Sequence, residues 1–470
     1  MFESITKKLK KKYKNNEYVI FMHIEDNTNL LLMYNKTMIN IDLLQKSLIP
    51  SLIKESITHS KLDETNIVGI KEISERDIDS ALFSGSIIIY NYTNKSFYSI
   101  NADNIPTRST SDPINDISIV GARDALVESN EKNVALIQKR IKSNELSIEQ
   151  YNIGRLTNTN VVMMYINETS NNKIVSKLKE TLDKINTDSL TNIGQMQSFL
   201  VNKKSLVPLV NYTSRPDYIA ESLIKGRIII LIDGIPLALI VPTTLFYFFE
   251  YHDSLSENYY AVLIDRVILA FAFFIAVFIE PFIVAVISFY PEFFPVSLIS
   301  TTINARKGIR ASFISEIIIV EIIFQIFRIA GTRYTQGLNS SLLVIGSLLL
   351  GRAVIEAGIL SQEALFVGAL SIIACYVLSN NNSFNISVNM IRWVMLIFTV
   401  LFGFVGSSTA FILIMIYLSS LESLGTQYMY PLCPINFKAL LKSLVPVNFI
   451  EKISKKKKGS NKEWKNYLLL

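Results

Sequence analysis

Charged and amide side chains inside otherwise apolar stretches are the features of this sequence that could do chemistry. Glu280, followed directly by Pro281, is the only charge between Arg266 and Glu292. A second apolar stretch carries three polar residues at spacings of four and three, which places them on one face of a helix: Glu321, Gln325 and Arg328. A charge at membrane depth costs about 2.5–3.5 kcal/mol, so it normally faces a bundle interior or a water-filled path. These residues therefore suit the attraction of ions better than catalysis.

Each of these features has more than one interpretation. Pro281 lacks an amide hydrogen and so leaves a backbone carbonyl without its helical partner, which would make Glu280 a cation-attracting group at a broken helix. Alternatively, Glu280 is a carboxylate near the membrane interface. The stripe that begins at Glu321 either lines a pore, docks a partner, or forms the wet side of an interfacial helix.

A third apolar stretch contains an ion pair and small residues. Arg352 and Glu356 are four residues apart, so the sequence predicts a structural ion pair that neutralises itself in a low dielectric. Two pairs of small residues also lie at a spacing of four, which lets helix backbones approach closely: Ser347 with Gly351, and Ala353 with Ala357. Arg352 and Glu356 join the earlier residues as candidates for a pore or gate.

Enzyme signatures are missing from the sequence. It has no glycine-rich phosphate loop followed by Lys, and its three histidines lie far apart without a paired nucleophile. Cys375 and Cys433 have no partner at a zinc-site or disulfide spacing. We therefore expect no catalytic residue, no metal site and no cofactor.

The composition indicates a membrane protein. Half of the 470 residues (50%) are hydrophobic, 18% are charged and the mean hydropathy is +0.32, which is too apolar for one water-soluble core. The net charge of +6 is modest, and in so apolar a chain it favours attraction to membrane lipid over binding to nucleic acid.

The apolar stretches predict four membrane spans, near 267–289, 338–360, 364–378 and 393–421. Residues 314–330 are predicted to form an amphipathic or re-entrant helix, and the polar stretch 379–389 a loop. The last span is either one tilted helix or two partial ones broken near Gly403. A six-helix arrangement, in which 236–250 and 314–330 also cross, stays open.

The basic ends of the chain predict its orientation. Lysines cluster before residue 15, but no apolar stretch follows that would make a secretory signal, so residues 1 to about 225 are expected to begin in the cytoplasm. Lys455–Lys458 keep the C-terminus cytoplasmic by the positive-inside bias. The membrane domain is then 236–446, and 447–470 is a basic cytoplasmic tail.

Residues before 236 are mixed in polarity and predict two cytosolic subdomains, 1–110 and 111–235. Two pairs of apolar segments predict β-hairpins: 18–24 with 29–34, and 86–92 with 96–100. A stretch rich in Pro, Ser and Asn at 102–116 reads as a linker. In the second subdomain, strands near 160–166 and 227–232 alternate with helices near 125–142, 174–185 and 217–224. The predicted fold is therefore an α/β cytosolic region of two subdomains followed by an α-helical polytopic membrane domain.

Several sequence runs, in order along the chain, carry a family resemblance: IVGARDALVES from Ile119, KRIK from Lys139, SRPDYIAESL from Ser214, GRIIILIDGIPLALIVPTTLFYFFE from Gly226, SENYY from Ser256, RKGIRASFISEIIIVEIIFQIFRIAGTR from Arg306, GRAVIEAGILS from Gly351 and SLGTQYMYPLCP from Ser423. Together they closely resemble the A subunit of spore germinant receptors, the GerA family. The resemblance covers about residues 115–435. It departs at Ile329, where the family has Glu, and at Tyr334-Thr335, where the family has Pro.

The resemblance implies a non-enzymatic subunit of a nutrient-sensing complex in the spore inner membrane. It implies a transporter-like B subunit and a lipoprotein C subunit as partners, and a homo-oligomer around an ion path that opens when germinant binds. Rival interpretations are a secondary transporter, a scaffold that relays the signal to a separate channel, and a cytosolic signalling protein that the helices only anchor.

Overall fold

The computed structural model describes 2–24, 30–56, 70–103, 124–201, 205–249, 259–293, 306, 308–309, 311–333, 351–379, 381–437 and 440. The basic tail, most of the predicted linker, the first part of the predicted span 338–360, and Ser347 lie outside these residues.

Subdomain 1 is built on a five-stranded sheet in the order β1-β2-β4-β5-β3, in which every pair is antiparallel. Its elements are α1 (Phe2–Lys12), β1 (Val19–His23), β2 (Leu30–Asn35), α2 (Ile41–Leu43), which continues through a π-helical turn (Leu44–Leu48) into α3 (Ile49–Ser56), β3 (Ile70–Ile73), α4 (Ile78–Leu82), β4 (Ser86–Asn91) and β5 (Ser96–Asn101). Both predicted hairpins are confirmed, as β1-β2 and β4-β5. The central strands read as continuous apolar runs because both faces of the sheet are covered.

Subdomain 2 contains a second five-stranded antiparallel sheet, in the order β6-β7-β9-β10-β8. Its elements are α5 (Asn130–Gln138), β6 (Leu146–Ile153), β7 (Thr159–Ile166), α6 (Asn172–Lys184), α7 (Ile193–Leu200), β8 (Asn211–Thr213), α8 (Pro216–Ile224), β9 (Ile228–Ile232) and β10 (Ala238–Val241). Helices α5 and α8 cover one face of the sheet, and α6 and α7 cover the other. The predicted mixture of helices and strands is confirmed, and β10 extends the sheet beyond residue 235.

The two subdomains are held together by buried polar contacts. Asn35 at the end of β2 donates its side-chain amide to the Gln138 carbonyl oxygen of α5 at 2.7 Å. The backbone amide of Ile148 in β6 donates to the carbonyl of Asn15 at 2.8 Å. The Asn35–Gln138 hydrogen bond is buried, so it stabilises the contact between the subdomains by about 0.5–1.5 kcal/mol.

The described part of the helical region begins after a 3-10 turn at Leu245–Phe249 and contains α9 (Tyr259–Phe289), α10 (Phe313–Arg333), a helical segment that includes 351–356, α11 (Gln362–Leu378) and α12 (Asn382–Ser420). A short 3-10 turn (Pro291–Phe293) follows α9, and a two-residue hairpin, β11 (Glu422–Ser423) with β12 (Thr426–Gln427), follows α12. Two of these segments, Val262–Phe289 and Asn382–Ser420, are long and apolar enough to cross a membrane.

The stretch 379–389, predicted to be a loop, is helical from Asn382 onward. Helix α12 begins at Asn382 because the Asn381 side-chain oxygen accepts hydrogen bonds from the backbone amides of Ser383 and Phe384, at 3.0 and 3.4 Å. The prediction was wrong because asparagine and serine are typical of loops and helix caps alike.

Helix α12 folds back on itself at Gly403. The backbone of Gly403 has φ 61° and ψ −140°, which is open to glycine and strained for other residues. The fold is so tight that a Cβ atom on Gly406 would lie 2.0 Å from the Phe398 carbonyl oxygen. We call 382–402 the first arm and 404–420 the second arm. The break predicted near Gly403 is therefore present.

Both ends of this hairpin contact subdomain 2. The side chain of Asn381, just before the first arm, contacts Asn211 of β8. The hydroxyl of Tyr417, in the second arm, accepts a hydrogen bond from the Leu206 backbone amide at 2.8 Å. One hydrophobic core therefore runs from subdomain 2 into the helices.

Replacing Gly406 with Ala tests the close approach of the two arms. The added methyl group would overlap the Phe398 carbonyl, so the arms must separate, and we expect a loss of about 1–3 kcal/mol. The measurement is thermal unfolding of the purified full chain in detergent. The control is Gly194→Ala in α7, where the nearest atom is 3.4 Å away. Equal melting temperatures for the two variants would contradict the hairpin.

Candidate functional site

Three charged side chains meet in the interior of the helical region. The Nε atom of Arg392, in the first arm, lies 3.2 Å from Glu280 Oε2 of α9, and its Nη2 atom lies 2.7 Å from Glu321 Oε1 of α10. The side chains of Glu280, Glu321 and Arg392 are 0%, 2% and 2% exposed. Charges buried this completely are costly to retain unless they pair with one another.

The ion pairs continue into a chain of hydrogen bonds. Arg392 donates through Nη2 to Asn389 Oδ1 at 2.7 Å, and Asn389 donates through Nδ2 to Gln325 Oε1 at 3.0 Å. The same Gln325 oxygen accepts from Arg328 Nε at 3.2 Å. We call these six side chains the polar network: Glu280, Glu321, Gln325, Arg328, Asn389 and Arg392.

The polar network holds equal numbers of acidic and basic side chains. Glu280 and Glu321 carry two negative charges and Arg328 and Arg392 two positive ones, so the network has no net formal charge. The amide side chains of Asn389 and Gln325 connect Arg392 to Arg328. A balanced network of this kind is far less costly in an apolar bundle than any one of its charges alone.

The helices around the network are positioned by small residues. A Cβ atom on Gly368 of α11 would lie 2.3 Å from Val320 Cγ1 and 3.4 Å from Glu280 Oε1. Glycine at 368 therefore lets α11 pack directly over the carboxylate of Glu280. Pro281, next to Glu280, lies inside an unbroken α9.

Helix direction follows from the pairing pattern. Glu321 meets Arg392, while Gln325, later in α10, meets Asn389, earlier in α12. Helix α10 and the first arm are therefore antiparallel. Each supplies polar residues on the face that points to the other.

Hydrogen bonding within the inner part of the network is incomplete. Neither carboxylate oxygen of Glu280 accepts a hydrogen bond from an N–H or O–H group of the residues that the structure describes, although Arg392 is within ion-pair distance. The pair is thus held by charge rather than by well-aligned hydrogen bonds. Such a pair can separate at lower cost than a bidentate one.

A third buried carboxylate lies in the first turn of α10. Glu316 is fully buried; one oxygen pairs with Arg306 Nη2 at 2.9 Å, and the other accepts hydrogen bonds from the amide and hydroxyl of Ser361, at 2.8 and 2.5 Å. Glu316 thereby ties α10 to the start of α11. Because its oxygens are saturated, we assign it a structural role.

Arg352 and Glu356 form the predicted ion pair, with Arg352 Nε 2.6 Å from Glu356 Oε1, but outside the polar network. Their side chains are 80% and 63% exposed on the single chain. Ala353 and Ala357 are also exposed, and a Cβ atom on Gly351 would meet Leu365 at 3.8 Å. The packing and gating roles of these residues, and of Ser347 outside the described residues, stay predictions.

Arg392 and Asn389 were missed in the sequence. Arg392 separates two uncharged stretches, 364–391 and 393–421, so it was counted with neither. Asn389 falls in the polar stretch 379–389, which was interpreted as a loop. The signal that could have found them is spacing: Asn385, Asn389 and Arg392 repeat the four-and-three spacing of the stripe that begins at Glu321. Two helices with the same polar spacing favour a shared interior interface.

Comparison with known proteins decides the family. The model of the Bacillus/Clostridium GerA spore germination protein family matches residues 7–458 of this chain. The chain belongs to the GerA family. It is 30% identical over 433 residues to spore germination protein XA of Bacillus anthracis, covering 90% of this chain and 88% of that protein. It is 28% identical over 432 residues to spore germination protein KA of Bacillus subtilis, covering 90% and 79%.

Among solved structures, the N-terminal domain of the A subunit of the Bacillus megaterium germinant receptor GerK3 is 24% identical. The match covers 50% of this GerA-family chain and 92% of that domain, with a TM-score of 0.35. The family resemblance expected from the sequence runs is thus confirmed by the family model. No group of three or more metal-ligating side chains occurs within the described part of this GerA protein.

Removing Arg392 tests the electrostatic role of the network. Arg392→Met leaves Glu280 and Glu321 buried without a counter-charge, so we expect a loss of about 3–5 kcal/mol and little folded protein. Adding Glu280→Gln and Glu321→Gln to the same chain removes both charges and should restore much of the yield. The measurement is folded yield and melting temperature in detergent.

The matched control is Arg352→Met, which breaks an exposed pair worth at most about 1 kcal/mol. A chain that tolerates Arg392→Met as well as Arg352→Met would show that the buried charges are neutralised in another way.

Proposed function

We propose that this chain is the A subunit of a nutrient receptor complex in the spore inner membrane, which triggers germination by opening a cation-release pathway when germinant binds. Family membership supports the role in spore germination. The observation that carries the pathway is the buried network of Glu280, Arg392 and Glu321 on three different apolar helices. Ionisable groups inside apolar helices are costly to retain, so they are typical of ion pathways.

The network suggests how such a pathway is closed and opened. With Arg392 between them, both glutamates are ion-paired, and with Arg328 the polar network has no net formal charge, so it attracts a passing cation only weakly. If the first arm shifts and carries Arg392 away, two carboxylates face the interior and attract cations. The germinant must bind the open arrangement more tightly than the closed one, by whatever free energy separates the two.

The proposed subunit is multi-pass with both termini in the cytoplasm. Outward-facing apolar side chains, among them Phe271 and Phe274 of α9 and Leu401 and Phe402 of the first arm, are 60–66% exposed on the single chain. Lipid or further copies of the chain would cover them. By family analogy the complex includes a transporter-like B subunit, a lipoprotein C subunit, and several A subunits around one path.

A second candidate function is a scaffold that relays nutrient binding to a separate channel. The core shared between subdomain 2 and the helices favours it, because a continuous core transmits displacement without any ion passing through. In that case the polar network fixes helix positions only.

The two functions are separated by ion flux. The chain is reconstituted with its B and C subunits in potassium-loaded vesicles, and potassium release is followed with and without nutrient mixtures. Glu321→Gln removes one of the two charges that hold Arg392 in place. Because that contact is worth about 1.5 kcal/mol or more, we expect potassium release without nutrient to become about tenfold faster.

The matched control is Glu356→Gln, which alters an exposed carboxylate outside the network and should leave release unchanged. A Glu321→Gln complex at normal protein level with unaltered release removes Glu321 from the pathway. A complex that binds nutrient and stays ion-tight favours the scaffold.

A further inference from the structure

The first arm of α12 is attached to subdomain 2 by a buried contact between two asparagines. Asn381 Nδ2 donates to Asn211 Oδ1 at 2.6 Å, and the two residues are 7% and 5% exposed. Asn211 lies on β8, the edge strand of the sheet, and its backbone amide donates to Thr243 Oγ1 at 3.1 Å. The contact therefore joins the sheet of subdomain 2 to the start of the arm.

Asn381 has two functions at once. Its oxygen caps the first arm by accepting hydrogen bonds from the amides of Ser383 and Phe384, while its nitrogen binds Asn211. One side chain thus fixes both where the helix begins and where that beginning sits on the sheet. Stacking of Phe384 on Phe248, with ring centroids 4.5 Å apart, braces the same turn.

The same arm carries the inner part of the polar network. Asn389 and Arg392 follow Asn381 by eight and eleven residues, or about 12 and 16 Å along a helix. A helix of that length moves as a rigid body, so a displacement of its first turn is passed on to Arg392. Glu280 and Glu321 belong to α9 and α10, so they need not move with it.

The second arm is also attached to subdomain 2. Ser423, after this arm, donates its hydroxyl to the Leu209 carbonyl at 2.7 Å and accepts from the Thr243 amide at 3.1 Å. Leu209 precedes Asn211 by two residues, and Thr243 Oγ1 accepts a hydrogen bond from the Asn211 backbone amide. Both ends of the hairpin thus meet one patch of subdomain 2, around the β8–β10 edge.

We propose that the Asn211–Asn381 contact is the joint through which subdomain 2 controls the pairing of Arg392 with Glu280 and Glu321. The edge of the sheet sets the position of the first arm, and the arm sets the position of the arginine. This gives the cytosolic half a regulatory function: a ligand or partner that shifts the β8 edge changes the charge network inside the bundle. The inference depends on the proposed function only for the flux readout described below.

Cys375 of α11 provides a reporter of arm position. Its thiol is 6% exposed and donates to the Asn385 carbonyl of the first arm at 3.4 Å, one turn beyond Asn381. An arm that leaves its place uncovers this thiol. In a Cys433→Ser background, the rate of N-ethylmaleimide labelling at Cys375 in the full chain in vesicles therefore measures how often the arm is displaced.

The informative variant is Asn381→Asp, which keeps the capping oxygen and removes the nitrogen that binds Asn211. We expect labelling of Cys375 to become about five- to tenfold faster, the effect of losing one buried hydrogen bond. Asn381→Ala removes both contacts and should be at least as fast. The matched control is Asn192→Ala, which removes an asparagine cap from α7 and should leave the rate unchanged.

Two results would overturn the inference. Wild-type labelling in Asn381→Asp, together with fast labelling in Asn381→Ala, would show that only the cap matters. Labelling that rises equally in Asn192→Ala would show general loosening of the fold. Melting temperatures of all variants are recorded alongside, so that unfolding is recognised.

Potassium release from the same vesicles, with B and C subunits present, separates this inference from the proposed function. Faster labelling with faster release supports both. Faster labelling with ion-tight vesicles supports the joint and contradicts the cation pathway. Faster release without faster labelling contradicts the joint, because the network then opens with the arm in place.

Discussion

A guanidinium cannot be buried among apolar helices unless carboxylates reach it, and this requirement organises the helical region. Arg392 is 2% exposed, so its charge is neutralised from two sides, by Glu280 of α9 and Glu321 of α10. Helices α9, α10 and the first arm must therefore bring these side chains to the same level of the bundle, and each helix must be rotated so that its charged residue faces the other two. Gly368 of α11 completes the site, because a larger residue would push that helix away from Glu280. Shifting any of these helices separates charges in a medium that penalises separation.

The same constraint makes the bundle sensitive to its surroundings. Separating a buried ion pair costs more than sliding two apolar surfaces, because the interior does not solvate the freed charges. The first arm connects the polar network to subdomain 2, since Asn381 at its start is hydrogen-bonded to the edge of the sheet. Subdomain 2 and the helices also share one hydrophobic core.

Membership of the GerA family and the layout of this chain are mutually consistent. The proposed cation pathway needs a closed state that is stable by itself, and a network without net formal charge suits this need. It also needs a closed state that a modest binding energy can undo. Poorly aligned ion pairs, such as that between Glu280 and Arg392, meet both needs better than a fully hydrogen-bonded site such as that of Glu316.

The sequence by itself determined several local features: both hairpins of subdomain 1, strands β7 and β9, the stripe on α10 and the family. Periodicity, turn residues and sequence runs encode these directly. The sequence offered the break at Gly403 as one of two alternatives. It could not determine that Asn381 caps a helix rather than sitting in a loop, or that Arg392 belongs with Glu280 and Glu321. The cap was ambiguous because asparagine is typical of loops and helix caps alike, whereas the charge cluster depends on which surfaces meet, since Arg392 lies 71 and 112 residues from Glu321 and Glu280 in the chain. A buried charge is recognisable in a sequence, but the group that neutralises it is selected by packing.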